Sequence, residues 1–273
     1  MTYEAQETSA QDGAPVELYV FRRGATVIGR YTSADADYSL DGDTYASTAL
    51  ERGPIEATGE TARTNLDIDV PRDNPIALLF RVTPPSQVIA LVVMRVHRTD
   101  GAQETAVIWA GRLLNVDNAG VRATLHCEPI ESSLARPGLR RPYSLGCPLL
   151  LFTQGDGLCN AVRATHASVT TVTAISGITL GVASLATKPW RGGFVEWDSG
   201  GGMLERRYIN AVAGASLTLL QAFQGIEIGD AVTVVPACDG TRATCDGVYG
   251  NILNYGGYPF IPTKNPFDGN PVY

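Results

Sequence analysis

The apolar residues of this chain come in short runs, each stopped by Gly, Pro, Asn or Asp. The longest, Val88 to Met94, covers seven residues. A run of that length suits a strand. An amphipathic helix would instead repeat apolar residues at three- and four-residue spacing over ten positions or more. The 29 Gly and 16 Pro among 273 residues supply the turns that such short elements need. The pattern therefore predicts an all-β chain. Strands are expected near Val16–Phe21, Val27–Tyr31, Thr44–Ser47, Asn65–Val70, Ala77–Val82, Val88–His97, Ala106–Leu113 and Val121–Cys127. Asp100-Gly101 between two of these runs is a strong hairpin signal, and Val116–Gly120 reads as a second hairpin turn. Strands this short and this closely spaced imply a barrel or a sandwich.

A short helix is expected at Pro129–Ala135, stopped by Pro137-Gly138, and the irregular stretch from Arg136 to Cys147 reads as a boundary. A second β unit follows, with strands at Ser168–Ile175, Thr179–Ala183, Gly193–Trp197, Leu204–Asn210, Ser216–Leu220 and Ala231–Val235, and a tight turn at Gly200–Gly202. The organisation read from the sequence is an N-terminal β-barrel or sandwich domain over 1–140, a small inserted β domain over 168–235, and a cysteine-containing module built from 141–167 and 236–273. The last stretch, from Asn251 onward, is expected to be loop-like and anchored by its rings.

Charge and composition narrow the function. The formal net charge is −7, which disfavours a nucleic-acid clamp, sequence-specific or not. A seven-residue apolar run falls far short of the roughly 20 residues of a spanning helix. Met1–Pro15 is polar and acidic, so export by a cleaved signal is not expected. In a reducing compartment, five cysteines argue against a disulfide framework. Catalytic patterns are lacking. Three scattered histidines (His97, His126, His166), no Gly-x-Ser-x-Gly and no His-Glu-x-x-His leave no nucleophile–base constellation, so an enzyme is not expected. The acidic group Asp35, Asp37, Asp41 and Asp43 lacks the closing glutamate of a calcium loop and reads as a solvated turn.

The cysteines carry what chemistry there is. Cys147 and Cys159 lie just before the small β unit, 11 residues apart, and Cys238 and Cys245 just after it, 6 apart. A β unit whose ends lie close together can be inserted between two halves of one site, and the four thiols would then converge. Four thiolates suit tetrahedral zinc or an iron–sulfur cluster. With no Cys-x-x-Cys pair, the spacing leaves buried free thiols, a metal or cluster, and disulfides all open. Cys127 falls in a predicted strand and reads as a core thiol, with His126 on the opposite face.

Several motifs carry a family resemblance. Cys238-Asp239-Gly240-Thr241 with Cys245, then Asn251-Ile252-Leu253-Asn254-Tyr255-Gly256-Gly257-Tyr258-Pro259 and Ile261-Pro262-Thr263-Lys264-Asn265-Pro266, resemble the closing signature of tail hub proteins of long-tailed phages and gene transfer agents. These proteins are similar in role to the minor tail protein L of phage lambda. Arg141–Cys147 and Gly155–Cys159 continue the resemblance upstream, and it extends weakly over the N-terminal half. The resemblance implies an iron–sulfur cluster, [4Fe–4S] in type, held by Cys147, Cys159, Cys238 and Cys245. Zinc is the alternative occupant and Cys127 the reserve ligand. It also implies a homotrimeric ring at the virion tail tip, assembled in the host cytoplasm. Such a hub joins the distal tail protein to the central, receptor-binding tip protein, with the tape measure protein as a further neighbour. The rings of Tyr249, Tyr255, Tyr258, Phe260, Phe267 and Tyr273 are candidates for that interface or for covering their own domain. The competing readings are a cytosolic iron–sulfur electron carrier and a zinc-stapled β adaptor.

Overall fold

The computed structural model describes residues 3–9, 13–55, 65–135, 138, 142–200 and 202–262. It divides into two units, Met1–Arg136 with Ser199–Leu204, and Pro137–Asp198 with Glu205–Tyr273.

The first unit opens with a short helix, α1 (Tyr3–Glu7), and then builds a nine-stranded sheet. The strands are β1 (Pro15–Arg23), β2 (Thr26–Thr32), β3 (Tyr38–Leu40), β4 (Asp43–Ser47), β5 (Glu51–Arg52), β6 (Leu66–Pro71), β7 (Ile89–His97), β8 (Thr105–Ala119) and β9 (Arg122–Pro129). Their order is β3-β4-β2-β1-β7-β8-β9-β6-β5, antiparallel except where β2 meets β4. β4 runs within three residues into β5, so one stretch of chain joins the two ends of the sheet.

Alternation decides which side chains fill the interior. Along β9, Ala123, Leu125 and Cys127 are buried, while Arg122, Thr124 and His126 point away. They join Tyr19, Phe21, Ile68 and Leu91 in the main core. A second cluster of Val16, Leu18, Leu40, Tyr45 and Val96 covers the other face of β1, which is therefore buried on both sides. Cys127 is thus a core thiol, and burial pushes its pKa up to about 12.

The stretch expected as a strand at Ala77–Val82 is not one: α2 (Pro75–Leu78) ends within it, and turns and bends follow. The Asn74 side chain accepts a hydrogen bond from the Ile76 N–H at 2.9 Å, and Pro75 sits in the first turn. Ile76 and Ala77 are both buried, as a helical turn allows and a half-buried strand does not. The hairpin at Asp100 forms as expected, its carboxylate accepting from the Ala102 and Glu104 N–H groups at 3.1 and 2.9 Å. The Val116–Gly120 turn is tighter than expected. β8 continues to Ala119, and Gly120, with φ +60°, turns the chain at once into β9. The helix expected at Pro129–Ala135 is a 3-10 helix over Ile130–Ala135. Of the acidic group, Asp41 lies in the β3–β4 turn with Gly42, Asp35 and Asp37 precede β3, and Asp43 opens β4, paired to Arg30 at 2.7 Å.

The second unit contains a closed six-stranded barrel of β10 (Ser168–Ser176), β11 (Thr179–Val182), β12 (Phe194–Asp198), β13 (Leu204–Ala213), β14 (Ser216–Leu219) and β15 (Ala231–Val235), ordered β10-β11-β14-β13-β12-β15. All six strands fall where the alternating pattern puts them. Val172, Leu180, Val195, Ile209, Leu217 and Val234 fill the barrel. The all-β expectation holds for both units. Among the described residues, no helix is long and apolar enough to cross a membrane.

Candidate metal centre

Barrel closure positions the site. Ser168, which opens β10, pairs with Val234 near the end of β15. The segments before and after the barrel therefore leave it from neighbouring positions. Cys147 and Cys159 lie in the first segment. Cys238 and Cys245 lie in the second, Cys245 on the short helix α3 (Arg242–Gly247) that periodicity did not reveal. Thr241 caps α3 by accepting from the Thr244 N–H at 3.2 Å.

Cys147 and Cys159 are presented by locked turns. The Cys159 loop is clamped by Asn160, which accepts from the Gly155 N–H at 2.8 Å and donates to the Gly155 carbonyl at 3.0 Å. On the other side, the Cys147 N–H donates to the Gly240 carbonyl at 2.8 Å, which ties the two segments together. Gly240 has φ +72°, and a Cβ there would lie 3.0 Å from the Cys147 carbonyl oxygen. The returning tail closes over the same turn. The Tyr255 hydroxyl donates to the Leu145 carbonyl at 2.7 Å, and the Tyr258 N–H donates to Ser144 at 2.9 Å. Gly257 passes so close to this turn that a Cβ would sit 2.6 Å from the Leu145 carbonyl oxygen.

N–H groups face three of the four sulfurs. Gly240 N–H donates to Cys238 Sγ at 3.4 Å, Gly256 N–H to Cys147 Sγ at 3.3 Å, and Asn251 Nδ2 to Cys159 Sγ at 3.6 Å. The fourth, Cys245 Sγ, donates as a thiol to the Asn251 carbonyl at 3.3 Å. The thiols also sense one another. Burial pushes the Cys245 pKa up to about 11, and Cys147, Cys238 and Cys159 reinforce the rise. Cys238 is raised by desolvation and by Asp239, Cys147 and Cys159, against the opposing Gly240 N–H. Thiolates that sense one another repel, so a bound cation is what would let all four ionise together.

This donor set fits a thiophilic centre: four thiols from two segments, with sulfur-directed N–H groups around them. Among the described residues, no three His, Cys, Asp or Glu side chains already stand in a metal-holding arrangement. All five cysteines are free thiols. Cys127, the reserve ligand, belongs to the core of the first unit.

Rings brace the site. Phe152, His166 and Tyr249 pack together, with His166 and Tyr249 centroids 4.8 Å apart, and the Tyr249 hydroxyl donates to the Ala237 carbonyl at 2.5 Å. Tyr258 packs on Tyr143 at 4.2 Å, and Phe260 is exposed. Beside Cys147 and Cys238 opens a cleft of 310 Å³ lined in part by Leu150, Phe152 and Phe194. Phe267, Tyr273 and the motif residues Arg141 and Thr263–Pro266 lie outside the described residues. Sequence reading missed Asn251 and Asn160 as parts of the site. Their signal was present in the Asn that follows Gly-Asp-Gly-Leu-Cys and in the Asn that opens Asn-Ile-Leu-Asn.

Residues 188–265 match the family described as Phage conserved hypothetical protein BR0599, a stretch that includes Cys238, Cys245 and Asn251. A protein of Xylella fastidiosa (strain 9a5c) described as "Uncharacterized protein" is 27% identical over 177 residues, 61% of this chain and 36% of the relative. The match thus spans about a third of that relative's length. A chain from a solved structure described as "Virion of native gene transfer agent (GTA) particle" shares the fold with a TM-score of 0.76 at 17% identity, over 100% of this chain and 99% of that one. The phage family match and the fold match bear out the resemblance to phage and gene transfer agent proteins carried by the carboxy-terminal residues.

Proposed function

We propose that this chain is a structural subunit of a phage or gene-transfer-agent virion, a hub at the tail tip joining the distal tail protein to the central tip protein. The observation that carries the reading is a fold match extending over the whole chain, both units included, to a chain of a gene transfer agent virion. The match to a phage family over residues 188–265 supports it. The absence of a nucleophile–base constellation in the sequence agrees with a structural role.

Within this reading, Cys147, Cys159, Cys238 and Cys245 hold an iron–sulfur cluster. When bound, the cluster supplies covalent cross-links between two segments that lie 79 or more residues apart in the chain, from Cys159 to Cys238. The chain's own residues do the rest. Gly240, Gly256 and Asn251 direct N–H groups at sulfur, Tyr255 and Tyr258 fasten the tail, and the barrel brings the segments together. A structural centre of this kind can supply on the order of 10 kcal/mol to folding.

The hub reading is tested by expressing the chain with its neighbouring tail proteins and imaging the assembly by electron microscopy. A three-fold ring bound to a distal tail protein is the expected result. A chain that stays monomeric and binds no tail protein contradicts it.

A further inference from the structure

Asn251 ties the second half of the cysteine site to the first. Its side-chain Nδ2 donates to Cys159 Sγ at 3.6 Å and also to the Cys159 carbonyl. Its backbone N–H donates to the Cys245 carbonyl at 2.9 Å, and its own carbonyl accepts from Cys245 Sγ at 3.3 Å. One residue thus touches two cysteines that stand 86 positions apart, Cys159 and Cys245.

The side-chain amide has a defined orientation. Asn254 Nδ2 donates to Asn251 Oδ1 at 2.7 Å. An amide offers an acceptor at one end and donors at the other, so engaging the oxygen turns the nitrogen toward sulfur. Asn254 lies one 3-10 turn on, at the end of Ile252–Asn254, which Asn251 opens. Gly240 and Gly256 reach their sulfurs through backbone amides. Asn251 does so through a side chain, so a single substitution can remove its donor while its backbone links to Cys245 remain.

We infer that Asn251 is a positioning residue of the four-cysteine centre: oriented by Asn254, its amide holds Cys159 and stabilises negative charge on the ligated sulfur. This rests on the cluster reading above. Hydrogen bonds to sulfur help set cluster potentials, and outer-shell partners of metal ligands are typically worth 10–100-fold in affinity.

The test reconstitutes the full chain anaerobically with ferrous iron and sulfide as wild type, Asn251→Asp and Asn254→Ala. Asn251→Asp keeps the shape but turns an acceptor toward sulfur. The expected result is iron release to a chelator about 10- to 100-fold faster, with the cluster's midpoint potential moved lower. Asn254→Ala shifts both in the same direction, by less. A loaded Asn251→Asp protein with wild-type potential and release rate overturns the inference and leaves the cluster reading standing. If Asn251→Asp does not fold, Asn254→Ala decides, and wild-type values there overturn the inference. If wild type takes up zinc and no iron, the cluster reading fails. Cobalt substitution then reports on Asn251 through the thiolate-to-cobalt absorption band. A shifted band with faster cobalt loss in Asn251→Asp supports the role, and an unchanged band and rate overturn it. Uptake of neither metal overturns both.

Discussion

The barrel and the cysteine module share one unit of the fold but are held together by different physics. The barrel closes on itself, each strand paired on both sides around Val172, Val195, Ile209, Leu217 and Val234. Among the described residues the module buries few apolar side chains, Ala161, Pro236, Cys245 and Tyr249, while Tyr143, Leu253 and Phe260 face outward. Its order comes from point contacts, namely a capped six-residue helix, a clamped loop, and N–H groups aimed at sulfur. Hydrophobic burial scales with apolar area, so the barrel has a cohesion that the module lacks. The barrel's cohesion lies in its own core, whereas under the proposed cluster reading the module leans on a bound centre.

Loss of the centre tests that contrast most severely. Cys238→Ser, or metal removal by a chelator, is expected to cost the module on the order of 10 kcal/mol. Hydrogen exchange would read it. The Cys147 and Tyr258 amides, now donating to Gly240 and Ser144, lose protection, while the barrel amides of Val172 and Val234 keep theirs. Simultaneous loss in both regions would show that the barrel depends on the module.

The converse experiment truncates the barrel core. Leu217 is fully buried, and Leu217→Ala should cost about 2–5 kcal/mol in denaturant unfolding. Metal content per folded chain should stay at the wild-type value. A drop in metal content would mean that barrel packing, beyond closure, holds the ligands.

Gly257→Ala sharpens the comparison within the module. Its Cβ would stand 2.6 Å from the Leu145 carbonyl oxygen and 2.8 Å from the Gly146 carbonyl carbon, so the tail must lift away. A cost of about 1–3 kcal/mol is expected, confined to the module. Unchanged metal retention in this variant would show that the tail's return is not needed to close the site.

The smallest effect lies in the first unit and serves as a control. His126 bonds Asp67 at 2.8 Å and Asp117 at 3.1 Å. Partial burial opposes its protonation, but the two aspartates win and raise its pKa. The stabilisation is therefore complete below the unfolded value of about 6.5 and is lost as pH rises through the higher folded value. Unfolding midpoints followed from pH 6 to 9 should fall in wild type and flatten in His126→Gln, with metal content the same in both. Identical pH profiles would remove His126 from the account.

The fold was legible wherever burial alternates. The barrel strands read cleanly because most show one face in and one face out, as the pattern of β13 demonstrates. Reading failed where side-chain chemistry overrides periodicity. Asn74 and Pro75 start a helical turn inside an apolar run. Thr241 caps a helix of six residues, too short to display a repeat. The site was half legible. The cysteines stand out by type and by their places before and after the barrel. Asn251, Asn254 and Asn160 do not, because an asparagine in a loop usually means only a turn, and its role here is set by partners up to 92 positions away.

On the reading proposed above, four cysteines from two distant segments share one inorganic centre. Anaerobic purification followed by iron, zinc and acid-labile sulfide analysis tests it most directly. Iron and sulfide are expected in equal amounts, about four of each per chain, retained in Cys127→Ala and lost in Cys238→Ser. A metal-free wild-type chain, with all four thiols open to a thiol reagent and the module still folded, would contradict it.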